Sequence, residues 1–148
     1  MGWGHLGRKR AAIGAGVAAV AVGWAASPAS AAAVAIQRSH TFTTQSGARV
    51  TCSVVMQQSW LEDDATVLTS LSGPAACRAR EVAVRWRFTD ASGAVHDGRE
   101  VVTGAQSVSV DLDGVADDLV SRHRVELADC AADCTFGPYE FAPFASSK

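Results

Sequence analysis

Residues 81 to 89 decide the fold class, and they read Glu-Val-Ala-Val-Arg-Trp-Arg-Phe-Thr. The apolar side chains of Val82, Val84, Trp86 and Phe88 alternate with charged, polar or small ones. A period of two is typical of a β-strand that has one face on a core and the other in water, because successive side chains point to opposite faces. The stretch therefore predicts a half-buried strand.

The same alternation recurs on both sides of this stretch, in Arg49–Gln57 and in Ser107–Asp113. Weaker strand patterns cover Val34–Thr44, Ala65–Leu71, Val95–Thr103, Arg122–Ala128 and Tyr139–Phe144. Turn-forming Gly, Pro, Asp and Ser residues separate these segments. Seven or eight short strands predict an all-β fold, a small antiparallel β-sandwich of immunoglobulin-like architecture. Short helical turns are expected only within Ser59–Asp64 and Gly114–Ser121.

The first 31 residues have the three parts of a secretory signal peptide. A basic block at residues 8–10 precedes an uncharged apolar run at residues 11–26, and small residues follow, with Ala29 and Ala31 at the positions that a signal peptidase accepts. Cleavage after Ala31 is expected, and cleavage after Ala33 fits nearly as well. The alternative is a retained membrane anchor, but the run is shorter than the ~20 residues that a spanning helix needs.

The chain thus divides into a cleaved signal peptide, residues 1–31, and a single secreted domain, residues 32–148. The whole chain has a formal net charge of −2. Three basic residues leave with the signal peptide, so residues 32–148 have a net charge of −5. A mildly acidic chain without a dense basic run gives no reason to expect nucleic acid as a partner, and no stable membrane insertion is expected after cleavage.

Four cysteines all lie beyond the predicted cleavage site, at Cys52, Cys77, Cys130 and Cys134. An even number in a small exported chain predicts two disulfides, for which three pairings exist. We favour Cys52–Cys77 and Cys130–Cys134, because each pair is adjacent in sequence and brackets a turn. A four-thiolate zinc site is the alternative, but the spacing does not resemble the usual pairs of zinc ligands.

Two resemblances follow from these features. The predicted sandwich is similar to immunoglobulin-like domains, with Trp86 as the buried aromatic residue, although Trp86 follows Cys77 and so breaks the Cys–Trp–Cys order of true immunoglobulin domains. The size, the two predicted disulfides and the short Cys130–Cys134 loop resemble the small secreted bacterial apoproteins that hold enediyne drugs.

No sequence motif points to catalysis or to a cofactor. The chain after residue 31 lacks a nucleophile elbow, an H-E-x-x-H zinc motif and glycine-rich phosphate loops. His40, His96 and His123 are far apart in sequence, and we expect His123 to be a partly buried strand residue with no metal or catalytic role. No enzyme activity, cofactor or metal is predicted.

Two acidic groups contain the oxygen ligands that calcium prefers, Glu62–Asp64 and the carboxylates at Asp111, Asp113, Asp117 and Asp118. The second group lacks the spacing and the late Glu of a calcium-binding loop. We expect both groups to lie in solvated turns.

Aromatic residues are concentrated near the C-terminus, and with Trp60 they form the candidate interaction surface. If exposed, they suit a sugar or protein partner, whereas in the last strand they fill the core. Two prolines in this region favour an edge strand. The candidates are Trp60, Phe136, Tyr139, Phe141 and Phe144.

The sequence therefore predicts a secreted bacterial protein that acts as a non-catalytic extracellular binding or structural module, with an extracellular protein or a carbohydrate as its partner. A secreted inhibitor is the alternative, presenting the rigid loop Ser59–Asp64 or the disulfide-closed loop Ala131–Asp133. A small secreted hydrolase is a further alternative, and it requires a histidine and an acid to converge in a pocket.

Overall fold

A computed structural model describes residues 32–114, 117–132 and 134–142. These residues form eight strands and no helix. The predicted signal peptide lies outside the described residues. The strands are β1 (Ala32–Thr43), β2 (Arg49–Leu61), β3 (Asp64–Ser72), β4 (Ala79–Thr89), β5 (Val95–Thr103), β6 (Ser107–Asp113), β7 (Val120–Leu127) and β8 (Thr135–Phe141).

Two four-stranded antiparallel sheets make up the fold, which confirms the predicted β-sandwich. Sheet I has the strand order β1-β2-β3-β6, and sheet II has the order β5-β4-β7-β8. Apolar side chains from the facing sides of the two sheets pack into one core. None of the described residues belongs to a helix long and apolar enough to span a membrane.

The period-two patterns place side chains as the sequence predicts. In β4, Val82, Val84 and Phe88 are buried while Arg85 and Arg87 are exposed. Trp86, expected to be buried, is only half-buried. Its ring lies over Gly98 of the edge strand β5, so closely that a Cβ atom there would be 2.2 Å from the ring. Trp86 therefore packs against the core only in part, at the edge of sheet II where β5 is the last strand.

The helical turn expected at Ser59–Asp64 is wrong. Strand β2 continues to Leu61, and β3 begins at Asp64, which pairs with Leu61 across a two-residue hairpin turn. Glu62 adopts a positive φ of 53° in this turn. The described part of Gly114–Ser121 also contains no helix, since residues 117 and 118 form a turn before β7.

Both disulfides form in the favoured pairing, Cys52–Cys77 and Cys130–Cys134. The first is fully buried and connects β2 to the segment that precedes β4, so it links the two sheets. The second closes the connection between β7 and β8. A bridge between Thr44 and Cys130 joins this connection to the end of β1.

The two disulfides should contribute unequally to stability. Replacing both Cys52 and Cys77 with Ala should lower the free energy of unfolding by about 3–4 kcal/mol, because the bridge closes a loop with a sequence separation of 25. Replacing both Cys130 and Cys134 with Ala should cost about 2 kcal/mol, because that separation is 4. Urea unfolding followed by the fluorescence of Trp60 and Trp86 measures both losses, and equal losses would contradict the argument from loop length.

Candidate functional site

The predicted aromatic surface divides between core and surface. Phe136 and Phe141 are buried, and their side chains belong to the core. Tyr139 and Trp60 are half-buried, and the Arg38 guanidinium lies 5.8 Å from the centre of the Tyr139 ring. Phe144 lies outside the described residues. The structure therefore does not gather these aromatic side chains into one exposed patch.

Three of the acidic residues, Asp64, Asp111 and Asp113, lie together at one end of sheet I, in strands rather than in the expected turns. Asp64 pairs with Asp113 across β3 and β6, and Thr66 donates a hydrogen bond to Asp111. These residues line a shallow depression of about 370 Å³ beside Trp60. Within the ranges that the structure describes, no three His, Cys, Asp or Glu side chains are placed to hold a metal ion.

The three histidines that lie beyond residue 31 occupy separate environments. The His40 ring packs edge-on against Phe136, with 4.3 Å between ring centres. The exposed His96 pairs with Asp90 at 2.7 Å. His123 is fully buried between the sheets. The arrangement does not bring a histidine and an acid together in an open cavity.

His123 belongs to a chain of hydrogen bonds that crosses the core. Its Nδ1 lies 2.7 Å from the Thr69 hydroxyl of sheet I, and its Nε2 lies 2.8 Å from the Ser121 hydroxyl. Ser121 donates to the amide oxygen of Gln58 at 2.6 Å, and the Gln58 amide nitrogen donates to the carbonyl of Leu119. All four side chains are buried.

The direction of each bond in this chain follows from its last member. The Gln58 amide oxygen can only accept, so the Ser121 hydroxyl donates to it and must accept from His123 Nε2. The Nε2 atom of His123 therefore carries a proton, and in the neutral ring Nδ1 accepts from Thr69. Burial disfavours the imidazolium form and lowers the His123 pKa from 6.5 to about 4. Because Ser121 is buried and its proton is engaged, the Ser–His pair is a structural element of the core.

Arginines form a charged surface on the outer side of sheet II, which we call the arginine face. Arg85 of β4 is paired in register with Arg99 of β5 on one side and with Arg122 of β7 on the other. The row thus places three guanidinium side chains on three adjacent strands. The arginine face comprises Arg85, Arg87, Arg99, Arg122 and Arg124.

Acidic neighbours neutralise this face only in part. Arg122 pairs closely with Glu140, while the contacts of Arg99 with Glu81 and of Arg124 with Glu126 are long, at 3.9 and 3.8 Å. Arg85 and Arg87 make no ion pair with any residue that the structure describes. The centre of the face therefore carries uncompensated positive charge.

Two adjacent depressions form a groove on the arginine face. One, of about 420 Å³, has Ala83, Gly137 and Pro138 in its lining, and the other, of about 340 Å³, extends toward Arg87 and Asp97. Both are lined by Arg85 and Arg122, so they lie next to each other. Together they extend along the outer side of β4 from Glu81 to Arg87.

Reasoning from the sequence missed this surface. The signal was present as arginines at alternate positions, at 85 and 87 in one strand and at 122 and 124 in another. Alternation places each pair on the outer face of its own strand. What the sequence does not contain is the order β5-β4-β7, which sets the two strands and Arg99 side by side.

Comparisons of the chain with protein-family models, with curated proteins and with solved structures gave no significant match. The function must therefore be inferred from the surface of the chain itself.

Burial of His123 should make stability depend on pH. The unfolded chain binds more protons between pH 6.5 and 4, so the contribution of neutral His123 is complete above pH 6.5 and is lost as the pH falls toward 4. The free energy of unfolding should be about 2 kcal/mol lower at pH 5 than at pH 7.5, measured by urea titration. The exposed-site control His96→Gln should keep this difference, and His123→Gln should abolish it. An NMR titration in which His123 had a pKa near 6.5 would contradict the expected dependence of stability on pH.

Proposed function

We propose that the chain is exported by a bacterium and acts outside the cytoplasm as a non-catalytic binding module. The arginine face is its binding surface. One observation carries this proposal: three arginines lie side by side on adjacent strands, and the central one, Arg85, has no ion-pair partner among the described residues.

Repulsion between these arginines supports a role in binding. Like charges directly opposite each other on neighbouring strands destabilise a sheet. A surface that served solubility alone would alternate the two signs of charge, as Arg122 and Glu140 do. An acidic partner that enters the groove replaces this repulsion with charge-assisted hydrogen bonds, which arginine makes in a forked geometry.

Export is supported by the leader and by the cysteines. The first 31 residues have the composition of a signal peptide, with a basic block, an uncharged apolar run and small residues before the preferred cleavage site. Cleavage after Ala33 would remove the first two pairs of the β1–β2 ladder. The two disulfides are consistent with an oxidising environment.

The β2–β3 hairpin offers a second candidate surface, for an inhibitor that inserts a rigid loop into another protein. Leu61, next to the turn, is 49 % exposed, so its side chain can contact a partner protein. Trp60 precedes it, and the two-residue turn holds the hairpin in one register.

The exported form should begin at Ala32. Intact-mass analysis of the protein recovered from culture medium should show the loss of residues 1–31 and four hydrogens fewer than the reduced chain. A chain that retained Met1 in the membrane fraction would contradict export by a cleaved signal peptide.

Binding should depend on the arginine face and on salt. Residues 32–148 should co-sediment with washed envelope material of the organism that encodes the chain. The double variant Arg85→Gln/Arg122→Gln should lose most of this binding, because it removes the guanidinium groups that line both depressions. Raising the salt concentration should weaken binding by the unsubstituted protein, because exposed charges are screened.

A charge-matched control separates the face from net charge. The double variant Arg49→Gln/Arg78→Gln removes the same charge away from the arginine face and should bind like the unsubstituted protein. If both double variants bind normally and Leu61→Ser does not, the hairpin is the binding surface and the proposal is wrong.

A further inference from the structure

We propose that the groove on the arginine face binds an acidic oligosaccharide, one that carries a carboxylate or sulfate group on successive sugar units. This inference depends on the proposed binding function and names the chemistry of its partner. It rests on three features of the groove: its length, its uncharged floor and the position of its own carboxylates.

The length of the groove favours a ligand with several negative groups. Successive outward-facing residues of a strand are about 6.6 Å apart. The arginines therefore lie at three successive positions along the strands: that of Arg87, that of Arg85, and that of Ala83, which Arg124 faces on β7. A polymer with a negative group on each unit can contact guanidinium groups at more than one level, whereas an isolated anion can contact one level only.

The floor of the larger depression suits the ring of a sugar. Ala83, Gly137 and Pro138 are uncharged and short, and the arginine side chains stand beside them. Gly137 has a φ of 86°, and a Cβ atom there would be 2.4 Å from the carbonyl oxygen of His123, so no larger residue fits without a shift of the backbone. The small floor leaves space above the sheet that a sugar ring can occupy with its apolar C–H groups toward the floor.

Carboxylates in the groove favour a carbohydrate over an acidic peptide. Glu81 lines the larger depression, and Asp97 lines the smaller one. Both repel the carboxylates of an acidic peptide, whose other donors are limited to about one backbone N–H group per residue. A sugar also carries hydroxyl groups, which donate hydrogen bonds to carboxylates while its acidic groups accept from the arginines. An acidic oligosaccharide therefore matches both signs of charge in the groove.

Calorimetry with defined tetramers tests this inference on residues 32–148. Tetragalacturonate supplies carboxylates on each sugar, and a heparin-derived tetrasaccharide supplies sulfates. We expect at least one of them to bind with micromolar affinity. Arg85→Gln should weaken that binding at least tenfold and leave Tm no lower than in the unsubstituted protein, because it also removes a repulsive neighbour of Arg99 and Arg122.

Matched ligands and a matched variant complete the design. Neutral maltotetraose should not bind, and tetraglutamate, which has the carboxylates without the sugar, should bind at least tenfold more weakly than the acidic tetramer. Arg49→Gln should bind the acidic tetramer normally. Equal or tighter binding of tetraglutamate would overturn the carbohydrate inference.

Failure of this inference is distinguishable from failure of the proposed function. If neither acidic tetramer binds while co-sedimentation with envelope material still depends on Arg85 and Arg122, the carbohydrate inference is wrong and the arginine face remains the binding surface. If the tetramers bind but Arg85→Gln and Arg49→Gln weaken binding equally, the groove is not the site and both proposals are wrong.

Discussion

A chain of hydrogen bonds through the core holds the two sheets in one alignment. Thr69 of sheet I contacts His123 of sheet II, and Ser121 of sheet II donates to Gln58 of sheet I. Each group is buried, and an unsatisfied polar group in such a core costs about 1–3 kcal/mol. A slip of one sheet against the other would break several of these bonds at once, whereas apolar contacts alone would tolerate it.

The strand that carries the buried hydrogen-bonded residues His123 and Ser121 also carries arginines on its outer side, so the same alignment sets both surfaces. His123 and Ser121 face inward from β7, so Arg122 and Arg124 must face outward from the same strand. In β4 likewise, Val82 and Val84 face inward and are buried, while Arg85 faces outward and is exposed. The core and the arginine face therefore depend on the same strand register. A shift of one residue would turn the apolar side chains outward and the arginines inward.

Charge is distributed unevenly over a molecule whose residues 32–148 carry a net charge of −5. Carboxylates gather at the hairpin end of sheet I, where Asp64 pairs with Asp113. Arginines gather on sheet II, where Arg85 lies between Arg99 and Arg122. Net charge is thus a poor guide to the partner of this protein, since the local field at a surface depends on which strands are adjacent.

The sequence by itself determined the fold class and most of the strands, because alternation along a strand is a local property, and it favoured the cysteine pairing that forms. Local patterns also decided that Val82 is buried and Arg85 exposed. Only the tertiary structure decided that Arg99, Arg85 and Arg122 form a row, that Phe136 belongs to the core, and that His123 meets Thr69. These contacts join residues far apart in the chain, and the strand order that brings them together depends on packing between sheets rather than on any local pattern.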